Sequence, residues 1–175
     1  MRQLLGNLDL AEHDPAGALA AYDDALRLEP SLRGDAGLLL AVQRLLPDRK
    51  LGPQALDLLA ERVGVPAGAV LAEVATTERR TEMRQKARAA CERLGCAAKV
   101  DQVRSLTLDL QQGRTCEERR QAVKALAATH DKRAVEPLQK LKRARGNFLQ
   151  DLLNRPGNQC LRKDLDEALE SLGGG

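Results

Sequence analysis

Apolar residues along this chain recur every three or four positions, the spacing that gathers them on one face of an α-helix. Three stripes stand out: Met83, Ala87, Cys91 and Leu94 in segment 77–94; Val100, Val103 and Leu110 in segment 98–111; and Leu161, Leu165, Ala168, Leu169 and Leu172 after Asn158. Each stripe predicts an amphipathic helix with one buried face.

Glycine and proline mark where the predicted helices end. Gly95 and Gly113 follow the two central stripes, and a triple glycine follows the last one. Glycine is common just past a helix C-terminus. Three shorter helices are predicted over 33–46, 53–63 and 65–75, with the turn PDRKLG between the first two. In all, the chain predicts eight to ten helices and essentially no strand.

The stretch LLGNLDLAEHDPAGALAAYDDALRLEPS, residues 4–31, has the spacing of a helical hairpin. The positions in register are Leu5, Gly6, Ala18, Tyr22, Ala25 and Pro30. Asp14 and Pro15 predict the start of the second helix, with an N-cap aspartate and a proline in the first turn. The stretch resembles one tetratricopeptide repeat, although Arg2 and Asp9 occupy that family's aromatic positions. It is expected to be the last repeat of an array cut off at Met1.

A second hairpin is predicted over EERRQAVKALAATHDKRAVEPLQKL, residues 117–141. Thr115 and Glu118 form a capping-box pattern before the first helix, and Asp131 is placed to cap the second. Pro137 lies inside the second helix, so a bend or a 3₁₀ start is expected there. The segment is similar to the short HEAT repeats known from phycobilisome lyases, with DKRAVEPL as its core.

Hairpins that are too small to bury their own faces are typical of α-solenoids, in which each hairpin packs against its neighbours. The fold class is therefore predicted to be all-α, an α-solenoid of antiparallel hairpins. Three segments are expected: a tetratricopeptide-like hairpin at 1–32, connecting helices at 33–76, and HEAT-like hairpins with a C-terminal capping helix at 77–175.

Composition agrees with helices, because aromatic residues make up only 1% of the 175 residues. Tyr22 and Phe148 are the only large rings, so Leu, Ala and Val must build the core. Strand-favouring β-branched and aromatic residues are scarce. No run is long and apolar enough to span a membrane, and no apolar signal segment follows Met1. A cytoplasmic location is expected, with the extracytoplasmic part of a membrane-anchored protein as the alternative.

Charge is uneven along the chain. The net charge is +3, yet residues 78–145 hold 18 Lys and Arg against 9 Asp and Glu, a local charge of +9. We call the Lys and Arg residues from Arg119 to Arg145 the basic belt. A solvated helix surface is the simplest interpretation. An electrostatic footprint for an acidic partner or for nucleic acid is the alternative.

The motifs of common enzyme classes are missing: there is no phosphate-binding glycine loop, HExxH, GxSxG or EF-hand pattern. Cys116 and His130 lie at opposite ends of one predicted helix, about 20 Å apart at 1.5 Å per residue, so they cannot act as nucleophile and base. The four cysteines lack CxxC spacing, and His13 and His130 are the only histidines. Neither catalysis nor a metal or other cofactor is predicted.

Three further segments carry a broader resemblance: LGPQALDLLAERVG, TCEERRQAVKALA and NQCLRKDLDEAL. They resemble the regions that follow tetratricopeptide repeats in large myxobacterial serine/threonine kinases. The kinase motifs themselves, a glycine-rich loop, HRD and DFG, are not in this chain. The resemblance implies a non-catalytic region that recognises a partner or signal.

Cys116 and Cys160 form a candidate pair, since each is predicted in the first turn of a helix and the two starts fall at the same end of an up-down-up arrangement. The favoured interpretation is that both are small buried thiols packed against apolar neighbours. A disulfide, formed in an oxidising compartment, is the alternative. A helix N-terminus lowers the pKa of a thiol, so exchange chemistry is conceivable if either cysteine is exposed.

Taken together, these patterns predict a non-catalytic helical-repeat module that binds a protein or peptide, acidic in character, as an accessory region of a larger signalling protein. Non-specific nucleic-acid binding by a basic HEAT-like surface is the alternative, although the aromatic rings that hold bases are nearly lacking. No small-molecule substrate is expected. The candidate partner-binding residues are Asn7, Arg119, Arg120, Lys140, Lys142, Arg143 and Arg145.

Overall fold

A computed structural model describes residues 14–143 and 158–173 of the chain. Within these ranges the structure has nine α-helices and no β-strand, which confirms the predicted all-α class. The helices are α1 Pro15–Leu28, α2 Ala36–Gln43, α3 Gly52–Asp57, α4 Gly68–Thr77, α5 Thr81–Leu94, α6 Gln102–Gln112, α7 Cys116–Ala128, α8 Val135–Arg143 and α9 Arg162–Ser171. None of them combines the length and apolar character needed to cross a membrane.

Side-chain caps fix several helix starts. Asp14, Asp35 and Asp101 each accept a hydrogen bond from the backbone N–H three residues later, at 3.0, 2.7 and 3.1 Å. The predicted capping box at α7 is confirmed: the Thr115 hydroxyl accepts from the Glu118 N–H, while the Glu118 carboxylate accepts from the Thr115 N–H. Each bond satisfies a backbone donor that the first helical turn leaves open.

Several helix boundaries differ from the sequence prediction because tighter turns occupy the connections. The predicted helix over 33–46 begins only at Ala36, since Asp35 caps it and Pro30–Gly34 forms a 3₁₀ turn. The helix predicted from Thr77 begins at Thr81, because Thr77 ends α4. Segments 65–75 and 98–111 likewise open with 3₁₀ turns at Val65–Ala67 and Ala97–Lys99.

The chain divides into two compact units between Val100 and Asp101. The predicted segment boundaries at 32/33 and 76/77 both fall inside the first unit, where one apolar core runs from Ala18 to Val100. Tyr22 is fully buried in this core, and Ala18 and Ala25 beside it leave room for the close approach of neighbouring helices. α3 continues as a π-helical turn over Leu58–Val63, whose apolar residues join the same core.

Arg80 holds the connection between α2 and α3, and a second arginine, Arg84, is buried in the same unit. The Arg80 guanidinium donates to the Asp48 carbonyl at 2.9 Å and to the Leu46 carbonyl at 2.5 Å, and it forms an ion pair with Glu78 at 2.9 Å. A side chain on Gly52 would collide with the Leu46 carbonyl and with this guanidinium. Arg84 is fully buried and donates to the Glu78 carbonyl. Both arginines therefore serve the fold of the first unit.

The second unit has its own core, built by α6 to α9. Its fully or almost fully buried residues are Val123, Leu126, Ala134, Leu138, Leu161 and Leu165. The 3₁₀ turn Lys132–Ala134 precedes α8 and is capped by Asp131, which confirms the 3₁₀ start expected near Pro137. Arg133 joins this turn to the start of α6, since it pairs with Asp131 at 2.7 Å and with Asp101 at 3.0 Å. The Arg133 hydrogen bond holds the pKa of the Asp131 carboxyl below its ordinary value.

Candidate functional site

The structure divides the candidate partner-binding residues between two helices of the second unit. Arg119 and Arg120 lie on α7, and Lys140, Lys142 and Arg143 lie on α8. Asn7 and Arg145 fall outside the described residues. The described basic belt therefore lies on α7, on α8 and on the 3₁₀ turn between them, and both helices pack against α9.

Arg120 is engaged by the C-terminal helix α9. Its Nε lies 3.1 Å from Asp164 Oδ2 on α9, and one of its terminal nitrogens lies 2.7 Å from Glu117 Oε2 on its own helix. The hydrogen bond with Asp164, reinforced by the one with Glu117, raises the pKa of the Arg120 guanidinium above its ordinary value. Only 15% of the Asp164 side chain is exposed, so its carboxylate is largely shielded from solvent where α7 contacts α9.

Two further basic side chains reach the same helix. Lys142 Nζ on α8 lies 2.7 Å from Asp166 Oδ1, and Lys124 Nζ on α7 lies 3.8 Å from Asp164 Oδ1. Asp164 and Asp166 thus bring the carboxylates of α9 against cations from both neighbouring helices. Some of the acidic groups that pair with the basic belt therefore come from the chain itself.

The remaining belt residues differ in their surroundings. The Arg119 side chain is half-buried, with its Cγ in the space that a side chain on Gly113 would need. Arg143 is exposed and donates to the Gln139 side-chain carbonyl at 3.2 Å. Lys140 is exposed, and no ion pair joins it to another residue of the described ranges. Because Leu138 and Leu141 face the core, Lys140 and Arg143 point outward from α8.

Cys116 and Cys160 are brought together by the fold. Their Cα atoms lie 6.4 Å apart, and their sulfurs form a disulfide. Cys116 is the first residue of α7 and is half-buried against the core, whereas Cys160 is exposed in the 3₁₀ turn Asn158–Leu161 before α9. The interpretation as two buried thiols is therefore wrong, because Leu161, and not Cys160, takes the core position of that turn.

A second disulfide, Cys91–Cys96, was not foreseen. Cys96 donates its N–H to the Cys91 carbonyl at 2.8 Å around Gly95, which has φ +77°. This is the Schellman arrangement, in which the second residue after the helix packs against a residue of the last helical turn. Here these two residues are Cys96 and Cys91. The signal was present in the sequence, because Gly95 marks the helix end and the two cysteines flank it at those positions.

Two further predictions concern histidine and metal chemistry. His130 lies in the connection between α7 and α8 and adopts a left-handed conformation with φ +52°. Cys116, the cysteine considered as its nucleophilic partner, is held in a disulfide at the other end of α7. Among the described residues, no three His, Cys, Asp or Glu side chains are grouped so that they could hold a metal ion.

Comparison with known proteins adds no relative to this description: no family model, no curated protein and no solved structure matches the chain.

Proposed function

We propose that the chain is a non-catalytic helical-repeat module that binds a protein partner carrying acidic side chains. In this proposal it is an α-solenoid of tetratricopeptide-like and HEAT-like hairpins, and an accessory region of a larger signalling protein. The all-helical structure, with consecutive helices packed as α4 on α5 and α6 on α7, supports the repeat architecture. The resemblance to kinase-associated regions supports the signalling context.

The observation that carries the proposal is how α9 binds to the basic belt. An amphipathic helix lies with its leucines in the core of the second unit and its aspartates on Arg120, Lys124 and Lys142. The α7–α8 surface therefore already accommodates an acidic helix. Lys140 and Arg143 are exposed and point outward from α8, which makes them available to a partner's carboxylates.

Non-specific binding of nucleic acid is the second candidate, favoured by the local charge of +9. The intramolecular ion pairs with Asp164 and Asp166 reduce the charge that the belt can offer to phosphates. Phosphate-directed binding weakens steeply with salt. We therefore place protein binding first and use salt dependence to separate the two.

The test uses three forms of the chain to capture binding partners from an extract of the native source. They are wild type, Lys140→Glu/Arg143→Glu, and the control Lys163→Glu. Lys163 is 90% exposed on α9, so its reversal changes the net charge without touching the α8 face. We expect a partner that is retained by wild type and control and depleted at least about tenfold by the double reversal, equivalent to about 1.4 kcal/mol.

The same three forms are titrated with labelled duplex DNA at increasing salt. Tight DNA binding that persists above physiological salt, or partner recovery that is equal for all three forms, would contradict the proposal. An intrinsic turnover of substrate by the purified chain would contradict its non-catalytic part.

Of the two locations predicted from the sequence, cytoplasmic and extracytoplasmic, the disulfides support the second for this proposal. Both cysteine pairs of the described residues are oxidised. Disulfides persist mainly in oxidising compartments and are rare in the reducing cytosol. An accessory region outside the cytoplasm would meet its signal there.

A further inference from the structure

The two disulfides differ sharply in how far solvent can reach them. Cys91 and Cys96 are 0% and 4% exposed, and the start of α4 covers them, with Gly68 so close that a Cβ there would lie 3.3 Å from Cys96 Cβ. Cys160, by contrast, is exposed at the surface of the second unit. A thiol in solution can therefore reach one disulfide directly and the other only after local unfolding.

Within the exposed disulfide the two sulfurs are also unequal. Cys160 is the exposed residue of the pair, while Cys116 is half-buried against the core of the second unit. Exchange begins when a thiolate attacks one sulfur of a disulfide and the other sulfur leaves. Accessibility thus directs attack to Cys160 and makes Cys116 the leaving group.

The position of Cys116 suits this role. It is the first residue of α7, a helix of 13 residues, and the N-terminus of a helix stabilises a thiolate. The two carboxylates of that first turn are already engaged: Glu117 pairs with Arg120 at 2.7 Å, and Glu118 accepts from the backbone N–H of Arg114 at 2.7 Å. A thiol with a lower pKa is a better leaving group in exchange.

Opening this disulfide leaves other contacts that hold α9. Leu161, Leu165 and Leu169 stay in the core of the second unit. The ion pairs of Asp164 and Asp166 with α7 and α8 do not involve the sulfurs. The exchange can therefore take place on a folded unit and be reversed there.

We propose that Cys116–Cys160 is a thiol–disulfide exchange site at which a low-molecular-weight thiol becomes attached to Cys160. The thiolate RS⁻ forms a new S–S bond with Cys160 Sγ, the bond between Cys160 and Cys116 breaks, and Cys116 leaves as the thiolate. Attack of the Cys116 thiolate on the Cys160 sulfur of the mixed disulfide expels RS⁻ and restores the original bond. Cys91–Cys96 remains closed throughout. This site is independent of the partner-binding function proposed above.

The experiment uses the full chain, oxidised with glutathione disulfide, freed of excess reagent, and then exposed to reduced glutathione. Samples are quenched in acid, alkylated and mapped by mass spectrometry, while circular dichroism follows the helix content. We expect glutathione on Cys160 and an alkylated Cys116, appearing at least about tenfold faster than any opening of Cys91–Cys96. Helix content should be retained in the adduct.

Matched variants separate the two pairs. Cys91→Ala/Cys96→Ala should leave the rate of adduct formation at Cys160 unchanged, and Cys116→Ser/Cys160→Ser, which keeps only the Cys91–Cys96 pair, should acquire no glutathione. The proposal is overturned by an adduct on Cys116, by equal opening of both pairs, by no reaction, or by failure of the oxidant to form the Cys116–Cys160 bond.

Discussion

At the scale of single residues, backbone conformation decides which side chains this chain tolerates at its turns. Gly95 ends α5 with φ +77°, and open space surrounds the place where its Cβ would be. Any penalty for a side chain there comes from the left-handed backbone alone. Gly34 has equally open surroundings without a left-handed φ, which makes it a matched control in the same unit.

Gly95→Ala is expected to destabilise the first unit by about 1 kcal/mol, because alanine resists the left-handed conformation of the Schellman turn. Gly34→Ala should be neutral or stabilising by up to about 1 kcal/mol, since it restricts only the unfolded chain. Urea unfolding of the two variants measures both values. Equal effects at the two positions would contradict the account.

The ion pair of Glu78 with Arg80 gives the first unit a pH-sensitive contact. The hydrogen bond from Arg80 holds the pKa of the Glu78 carboxyl below its ordinary value of 4.5, against the opposing effect of burial. A carboxyl whose pKa is lowered by folding contributes stability that is fully present above its unfolded value. That contribution is lost as the pH falls below about 4.5 and through the folded pKa.

Glu78→Gln is therefore expected to lower stability at pH 7 by about 1 kcal/mol and to weaken the loss of stability between pH 5 and the folded pKa. Glu73→Gln is the control, because Glu73 is exposed on α4 and no ion pair joins it to another described residue. Denaturation at a series of pH values tests this. A pH profile of Glu78→Gln that parallels the wild type would refute it.

At the scale of elements, the second unit depends on how α9 is attached. Its leucines enter the core, its aspartates pair with α7 and α8, and the disulfide joins Cys116 to Cys160 across a separation of 44 residues. The other disulfide spans only 5 residues, within one helix end. In the chain-entropy description, a cross-link stabilises more when it closes a longer loop.

Cys116→Ala/Cys160→Ala should therefore lower the free energy of unfolding of the second unit by about 4 kcal/mol. Cys91→Ala/Cys96→Ala should lower that of the first unit by about 2 kcal/mol, because its loop is shorter. Guanidinium unfolding of the oxidised proteins compares the two. If the pair with the shorter separation proves the more stabilising, packing around Cys91 outweighs loop closure, and this prediction is wrong.

At the scale of the whole chain, the two units have separate apolar cores. Leu59 is fully buried in the first and Leu126 in the second. Truncating such a leucine to alanine removes buried methyl groups and leaves a cavity. The consequence for each unit can be followed separately along the chain by amide hydrogen exchange.

Leu126→Ala is expected to destabilise by about 2–5 kcal/mol and to accelerate amide exchange in α6 to α9 while protection in α1 to α5 is retained. Leu59→Ala should show the converse pattern. Hydrogen exchange read by mass spectrometry provides the measurement. Simultaneous loss of protection in both units would show that the chain unfolds as one cooperative body.

Local sequence rules predicted much of this molecule, because they depend on neighbours a few residues apart. The leucine stripe of α9, the capping box of α7 and the glycine end of α5 follow from helix period and from cap chemistry. The connections were less predictable, since 3₁₀ turns such as Pro30–Gly34 share the period of a helix start.

The sequence by itself thus determined the helical class, the main buried faces and the helix ends that glycine or a capping side chain marks. Tertiary structure decided which carboxylates pair with the basic belt, because the partners of Arg120 and Lys142 lie on α9, 44 and 24 positions further along the chain. It also decided that Cys160 is exposed while Cys91 and Cys96 are covered, since exposure depends on which elements pack over a residue. Spacing along a chain carries no information on either.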